Sequence, residues 1–238
     1  MSRISVEEMD DWVRHGDWRV LCERARTAVE SAERAAGVSM GPGLGGGTRL
    51  MLEFHHRISH DVDLFVHDAQ WIGFLTPRLN DVYGFDLSGY EEGSNALKLR
   101  FAEGEVDFIV APTLLGLDHE TYPNVPFVME PVAEVLAKKL FYRGWSLTAR
   151  DVFDWYTVET RGGGMLPVEK MGDLLKERSE QIEGSLNSLA SSEHAALQWK
   201  QIRAVEDVSL DDALSHLREA LRSYIESRFD QGRDFRAD

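Results

Sequence analysis

The sequence predicts an α+β fold: a mixed β-sheet core with flanking helices in the front half, followed by an all-helical C-terminal half. Three observations point there. Strand-like alternation is confined to residues before Pro112, helical periodicity dominates after it, and 43% of the 238 side chains are hydrophobic. That is enough apolar surface for a large buried core. The expected division is a domain at residues 1–115 and a helical domain at 116–238.

From Val6 to Ala36 apolar residues recur at Met9, Val13, Leu21, Ala25, Ala28, Val29 and Ala32, which predicts helix broken near Gly16. Gly37 to Gly47 holds six Gly and one Pro in eleven residues, so a loop is expected. Thr48–Phe54 reads as a short apolar helix and Asp61–Val66 as a strand. A further helix from Ala69 to Tyr83 is expected, with Pro77 an awkward member. Leu97–Phe101 and Val106–Val110 flank Ala102-Glu103-Gly104-Glu105 as an antiparallel hairpin. After Pro112 strand signals stop. Pro131–Arg143, Thr148–Glu159, Pro167–Leu186, Ser191–Ile202 and Leu210–Phe229 read as helices, the first and third with Pro at the start, and the residues after Phe229 as a frayed end.

The formal charge of −15 argues against a surface that coats nucleic acid or an anionic membrane. Any polyanion must meet a local basic patch. One cysteine, Cys22, forms no internal disulfide and no Cys-rich zinc site, so a reducing compartment is expected. No stretch approaches the roughly 18 apolar residues that span a bilayer, and the acidic N-terminus lacks a signal-length apolar run. The expected location is the cytoplasm, with no membrane partner.

The chemistry concentrates at Gly45-Gly46-Gly47-Thr48, followed by Asp61-Val62-Asp63. Carboxylates at i and i+2 of a strand share a face and suit a hard divalent cation. Glycines opening a helix leave N–H groups open to an anion, and the helix dipole adds to the attraction. Together Gly46, Gly47, Thr48, Asp61 and Asp63 suit a metal-bound triphosphate. Asp107, on the second hairpin strand, adds a third carboxylate, as metal ligand or as base toward an attacking hydroxyl.

Other motifs fail on context. Gly41 to Gly46 has the spacing of a dinucleotide fingerprint, but a helix rather than a strand precedes it. The same run lacks the P-loop lysine, because Gly47 occupies that position. Ser59-His60-Asp61 cannot relay a proton, since neighbours on a strand point to opposite faces. His55, His56, His60 and His67 do not have a recognised zinc spacing.

Residues 135–150 contain no acidic side chain, yet carry Lys138, Lys139, Arg143 and Arg150. Lys139 and Arg143 stand at i and i+4, where one helix face can grip phosphates, and Lys138 is expected on the solvent side. Lys138, Arg143, Arg150 and Arg161 are the candidate RNA-facing cations. Asp154 reads as a structural ion-pair partner, and Trp145, Trp155 and Trp199 read as core.

Gly46-Gly47-Thr48 with Arg57-Ile58-Ser59-His60-Asp61-Val62-Asp63-Leu64-Phe65, then Ala137-Lys138-Lys139-Leu140, Arg143 and Arg150-Asp151-Val152-Phe153-Asp154, resembles the AbiEii/AbiGii toxin family of nucleotidyltransferases, in the DNA polymerase β-like superfamily. The resemblance runs from Gly45 to Tyr156. It implies a nucleotidyltransferase-like sheet and an NTP-using transferase, with Asp61 and Asp63 holding Mg²⁺, Lys139 on the triphosphate and Asp151 as a further active-site acid. It also implies the toxin of a bacterial toxin–antitoxin pair, an RNA acceptor such as tRNA, and a cognate antitoxin encoded nearby. A small-molecule nucleotidyltransferase of the antibiotic-modifying type is the alternative, since cationic substrates prefer acidic clefts. A non-catalytic nucleotide-binding protein is another.

Overall fold

The computed structural model describes residues 1–226. The end of the helix expected to reach Phe229, and the fraying beyond it, lie outside the described residues. The chain forms two units, one of Val6–Thr113 with Leu117–Pro131, the other of Met1–Ser5, Leu114–Gly116 and the chain from Val132 onward. Strand β1 (Ser2–Arg3) belongs to the second unit.

The first unit opens with α1 (Val6–His15) and α2 (Trp18–Ala36), separated at Gly16 as the pattern predicts. Helix α2 buries Trp18, Leu21, Cys22, Ala25, Ala28, Val29 and Ala32, one stripe at helical spacing. The glycine-rich run is not simply a loop. Strand β2 (Gly43–Leu44) lies inside it, and α3 (Gly46–Phe54) begins within it. A run almost without side chains fits as a central strand, because β2 pairs antiparallel with β3 (Val62–Val66) and parallel with β7 (Val128–Met129). After β3 comes α4 (Gln70–Leu75), and a separate 3₁₀ turn covers Asp81–Asp86. The single helix expected over Ala69–Tyr83 is interrupted because Thr76, before Pro77, is forced to extended backbone at φ −61°, ψ 134°.

Strands β4 (Gly89–Glu92), β5 (Ala96–Arg100) and β6 (Glu105–Val110) complete a six-stranded mixed sheet of order β4-β5-β6-β3-β2-β7. The β5–β6 hairpin is the one the sequence predicts. Strand β4 escapes sequence reading because it is a short, polar edge strand. Strand β6 runs parallel to β3, pairing Val62 with Val106, Asp63 with Asp107 and Leu64 with Phe108. One sheet face therefore buries Val62, Leu64, Leu97, Leu99, Val106 and Phe108, and α2 packs on β3 and β6. The alternate residues Asp63, Lys98 and Asp107 fall on the opposite face, by the period of two.

The second unit contains α5 (Val132–Arg143), α6 (Ala149–Arg161), α7 (Val168–Leu175), α8 (Ser179–Ala190), α9 (Glu193–Gln201) and α10 (Leu210–Glu226). The helix expected over Pro167–Leu186 is split by a 3₁₀ turn at Lys176–Arg178. Short strands correct the expectation that none follows Pro112: β7 in the first unit, and β8 (Arg203–Ala204), which pairs parallel with β1. Two-residue strands carry too little periodicity to be read from sequence. Helix α5 is anchored through the buried Glu134 carboxylate, which accepts the Leu114 and Leu115 N–H groups at 2.9 and 2.8 Å. Trp155 and Trp199 are core as expected, whereas Trp145 is not: it is 69% exposed. No helix among the described residues is long and apolar enough to cross a membrane.

Candidate active site

The first cluster is built where α3 begins against β3. Gly46 has φ +61°, and a Cβ placed on it would lie 1.7 Å from Asp63 Oδ2. Only glycine permits that approach, so the Asp63 carboxylate rests on the first turn of a helix, where the dipole favours negative charge. The junction is tied by backbone and side chain together. The Gly45 N–H donates to the Asp63 carbonyl at 2.9 Å, and the buried Thr48 hydroxyl donates to the Asp61 carbonyl at 2.5 Å. Thr48 thus ties the start of α3 to the Asp61 backbone.

Asp61 Oδ1 accepts the Glu105 N–H at 3.2 Å, which fixes it to the start of β6. Asp107 stands opposite Asp63 in register, and its Oδ2 accepts from Lys98 Nζ at 2.8 Å, while Lys98 also pairs with Glu105 at 2.6 Å. Burial pushes the Asp107 carboxyl up to about 6, Lys98 opposes that rise, and the Asp63 charge adds to it. Among the described residues no group of three His, Cys, Asp or Glu side chains is arranged to hold a metal. The expected trio Asp61, Asp63 and Asp107 is therefore not a ready-made cage, for Lys98 holds Asp107 and a backbone amide holds Asp61. The donor set still fits a divalent cation. It consists of hard carboxylate oxygens, with two like charges facing each other across adjacent strands and the Lys98 ammonium holding Asp107 from the β5 side.

The second cluster lies in the second unit. Lys139 Nζ contacts Asp151 Oδ1 at 2.8 Å and Asp154 Oδ2 at 3.2 Å, and Arg143 reaches Asp151 Oδ2 at 3.3 Å. Asp151 is also N3 of α6: its Oδ2 accepts the Thr148 N–H and hydroxyl at 3.1 and 2.8 Å, and Thr148 Oγ1 accepts the Asp151 N–H. This is a complete capping box. With both oxygens engaged and the side chain 2% exposed, Asp151 is built to hold Lys139 and Arg143 in place rather than to exchange a proton. Burial opposes its ionisation, but the charges of Lys139 and Arg143 prevail and hold its carboxyl below the usual carboxylate range. Asp154 is the ion-pair partner the sequence suggests. Lys138 reverses the expectation made for it. It is only 3% exposed, because the inward stripe of α5 takes in position 138 and leaves 139 at its margin.

Residues 44–237 match the family described as nucleotidyl transferase AbiEii toxin, of the type IV toxin–antitoxin systems. The chain belongs to the AbiEii family. No curated protein matches it. As an AbiEii nucleotidyltransferase toxin it places the two quoted motif blocks in two structural roles: the glycine–aspartate block at the α3–β3 junction, and the lysine–aspartate block as a buried ion-pair cluster on α5 and α6. Candidate residues that sequence reasoning overlooked are Lys98, Arg57 and Ser59. Lys98 is found by counting the hairpin register back from its turn, which sets it opposite Asp107. Arg57 Nη2 and Ser59 Oγ lie 2.7 and 2.8 Å from where a Cβ on Gly47 would stand, so they buttress the AbiEii glycine turn. Both stand in the quoted motif, but nothing in the spacing shows that they pack on the glycines.

Removing the Asp151 charge has a defined cost in this arrangement. Asp151→Ala leaves Lys139 without its shortest partner and uncaps α6, and breaking a buried pair of this kind costs about 3 kcal/mol or more. The folded pKa of Asp151 is lowered, so its contribution is complete above the unfolded carboxylate pKa, about 4, and fades as pH falls through the folded value. Thermal midpoints of the two proteins are thus expected to differ widely at pH 7 and to draw together as pH falls below the unfolded carboxylate pKa. A gap that does not change across that range would remove the ionised Asp151 from this account.

Proposed function

We propose that the chain transfers a nucleoside monophosphate from an NTP to an RNA acceptor, with tRNA as the leading class, in a Mg²⁺-dependent reaction. It acts as the toxin of a bacterial pair whose antitoxin is encoded nearby, in the cytoplasm. The proposal assigns residues 1–115 as the nucleotidyltransferase domain and 116–238 as the helical domain. The observation that carries it is the approach of Gly46 to the Asp63 carboxylate, which brings acid and helix N-terminus together as a metal-bound phosphate requires.

In this reading Asp61 and Asp63 would hold Mg²⁺, with Asp107 beside them. The cation, when bound, neutralises the triphosphate and stabilises charge on the departing pyrophosphate. The amide groups at Gly46 and Gly47 bind phosphate oxygens. The family resemblance implies Lys139 on the triphosphate, and within its own unit Lys139 is oriented by Asp151 and Asp154, with Arg143 also on Asp151. The acceptor hydroxyl oxygen attacks the α-phosphorus, the bond to the β-phosphate oxygen breaks, and pyrophosphate leaves. Asp107, whose carboxyl lies near 6, takes the hydroxyl proton.

Purified protein incubated with Mg²⁺, each labelled NTP in turn and total cellular RNA is expected to label a discrete RNA class, and Asp61→Asn is expected to remove the label. Label on an aminoglycoside or on protein, with RNA unlabelled under all four nucleotides, would refute the RNA acceptor and favour the small-molecule reading, which the net charge of −15 also suits.

A further inference from the structure

Beside Lys139 and Arg143, which the reaction above uses, the acid-free run at residues 135–150 carries exposed side chains that it does not use. Lys138 is buried and Lys139 is engaged by two carboxylates, whereas Arg143 is half exposed and Arg150 is exposed. In the same run Trp145 is 69% exposed and Tyr142 is 45% exposed. The contrast within the same unit is informative, since Trp155 and Trp199 are fully buried in its core. A large ring left in water forgoes the burial that aromatic side chains normally obtain.

The backbone beneath these rings is tied to the rest of the helical unit. Trp145 sits on the 3₁₀ turn Gly144–Ser146, and the next residue, Leu147, donates its N–H to Ser185 Oγ on α8 at 2.9 Å. Tyr142 stands edge-on to Phe141 at 5.1 Å, and the Arg178 guanidinium covers the other ring at 4.3 Å from its centroid. Arg178 thus backs the ring against which Tyr142 stands, and Arg150 is exposed five positions after Trp145.

We propose that Trp145 and Tyr142, with Arg150 and Arg178 as the accompanying cations, are a stacking platform for unpaired bases of the RNA acceptor; this rests on the RNA reading above. Charge geometry selects the ligand. A chain at −15 repels a duplex along most of its surface, and two arginines make too few phosphate contacts to hold one. Stacking of splayed bases on open rings supplies the remainder, independent of sequence.

The test uses the full chain, a fluorescent single-stranded RNA dodecamer, the matching duplex, and transfer of label to cellular RNA. Trp145→Ala is expected to weaken single-strand binding at least about fivefold while Trp145→Phe restores most of it, as base–aromatic stacking requires. Duplex affinity and thermal midpoint should not move. Arg150→Ala should instead lower the salt slope of single-strand binding by about 0.7, the loss of one phosphate contact. Undiminished single-strand binding in Trp145→Ala, or none in the wild type, would overturn the platform. So would loss of a self-association in Trp145→Ala with RNA affinity unchanged, which would make the patch a protein contact. Single-strand binding that depends on Trp145, without transfer of label to RNA, would uphold the platform and reject the RNA-acceptor reaction instead.

Discussion

Asp63→Asn is expected to reduce NTP transfer by on the order of a hundredfold to a thousandfold, because a metal-binding carboxylate acts through the several kcal/mol of charge stabilisation that the ion supplies. The substitution is nearly isosteric, so the loss is chemical rather than structural. In the metal-free protein it should leave the fold intact and raise stability by up to about 1 kcal/mol, since like charges directly opposite across strands repel. The repulsion is specific: Asp63 faces Asp107 in register, and the Asp63 charge already helps to hold the Asp107 carboxyl above its ordinary value. Asp61→Asn should lose transfer as well but gain no stability, because Asp61 spends one oxygen on the Glu105 N–H and has no such partner in register. Transfer assays and thermal midpoints of the two metal-free variants decide the matter together. Wild-type turnover in Asp63→Asn would end the metal-carboxylate assignment. A falling midpoint would show instead that the Asp63 charge supports the fold.

Much of this site is legible in the chain, and the part that is not has a physical reason. The shared face of Asp63 and Asp107 follows from the period of two on each strand, with Leu64 and Phe108 buried on the other face. The Asp151 capping box follows from Thr148 three positions earlier, at a helix start. What alternation cannot show is long-range packing among residues without side chains. Strand β2 is two residues inside a glycine-rich run, and its neighbours β3 and β7 are contributed by distant parts of the chain. Lys138 and Trp145 mislead for a related cause. Lys138 is charged and Trp145 apolar, so composition puts the first outside and the second inside, yet the tertiary packing of α5 and of the 3₁₀ turn after it reverses both. Trp145 is the residue on which the RNA platform rests, so the failure of the simple burial rule falls at a proposed functional position.

Gly46→Ala is expected to be the most damaging substitution of a small residue in the chain. Its Cβ would meet not only Asp63 Oδ2 at 1.7 Å but also Asp63 Cβ at 2.8 Å. A rotamer change can move the carboxylate but cannot move a Cβ fixed to strand β3, so the strand itself must shift. The backbone adds its own penalty. At φ +61° an L-residue costs about 1–2 kcal/mol, and overpacking a tight contact costs about 1–3 more. Together these amount to a loss of about 2–5 kcal/mol, or a midpoint lower by roughly 5–15 °C for a chain of this size. Transfer should disappear even where the variant still folds, because the displaced Asp63 no longer meets the first turn of α3. Gly73→Ala is the matched control. It lies inside α4 with nothing within 4 Å of an added Cβ, so it should gain up to about 1 kcal/mol. A second measurement separates clash from backbone strain. Asp63→Ala removes the carboxylate but keeps the Cβ, so placing it in the Gly46→Ala background should recover only part of the lost midpoint, a coupling that independent sites would not show. Full recovery would locate the whole penalty in the carboxylate, and no recovery would locate it in the left-handed backbone and the fixed Cβ. A Gly46→Ala protein that matches the wild type in both midpoint and transfer would mean that α3 and Asp63 do not meet as described, and the proposed nucleotide site would lose its foundation.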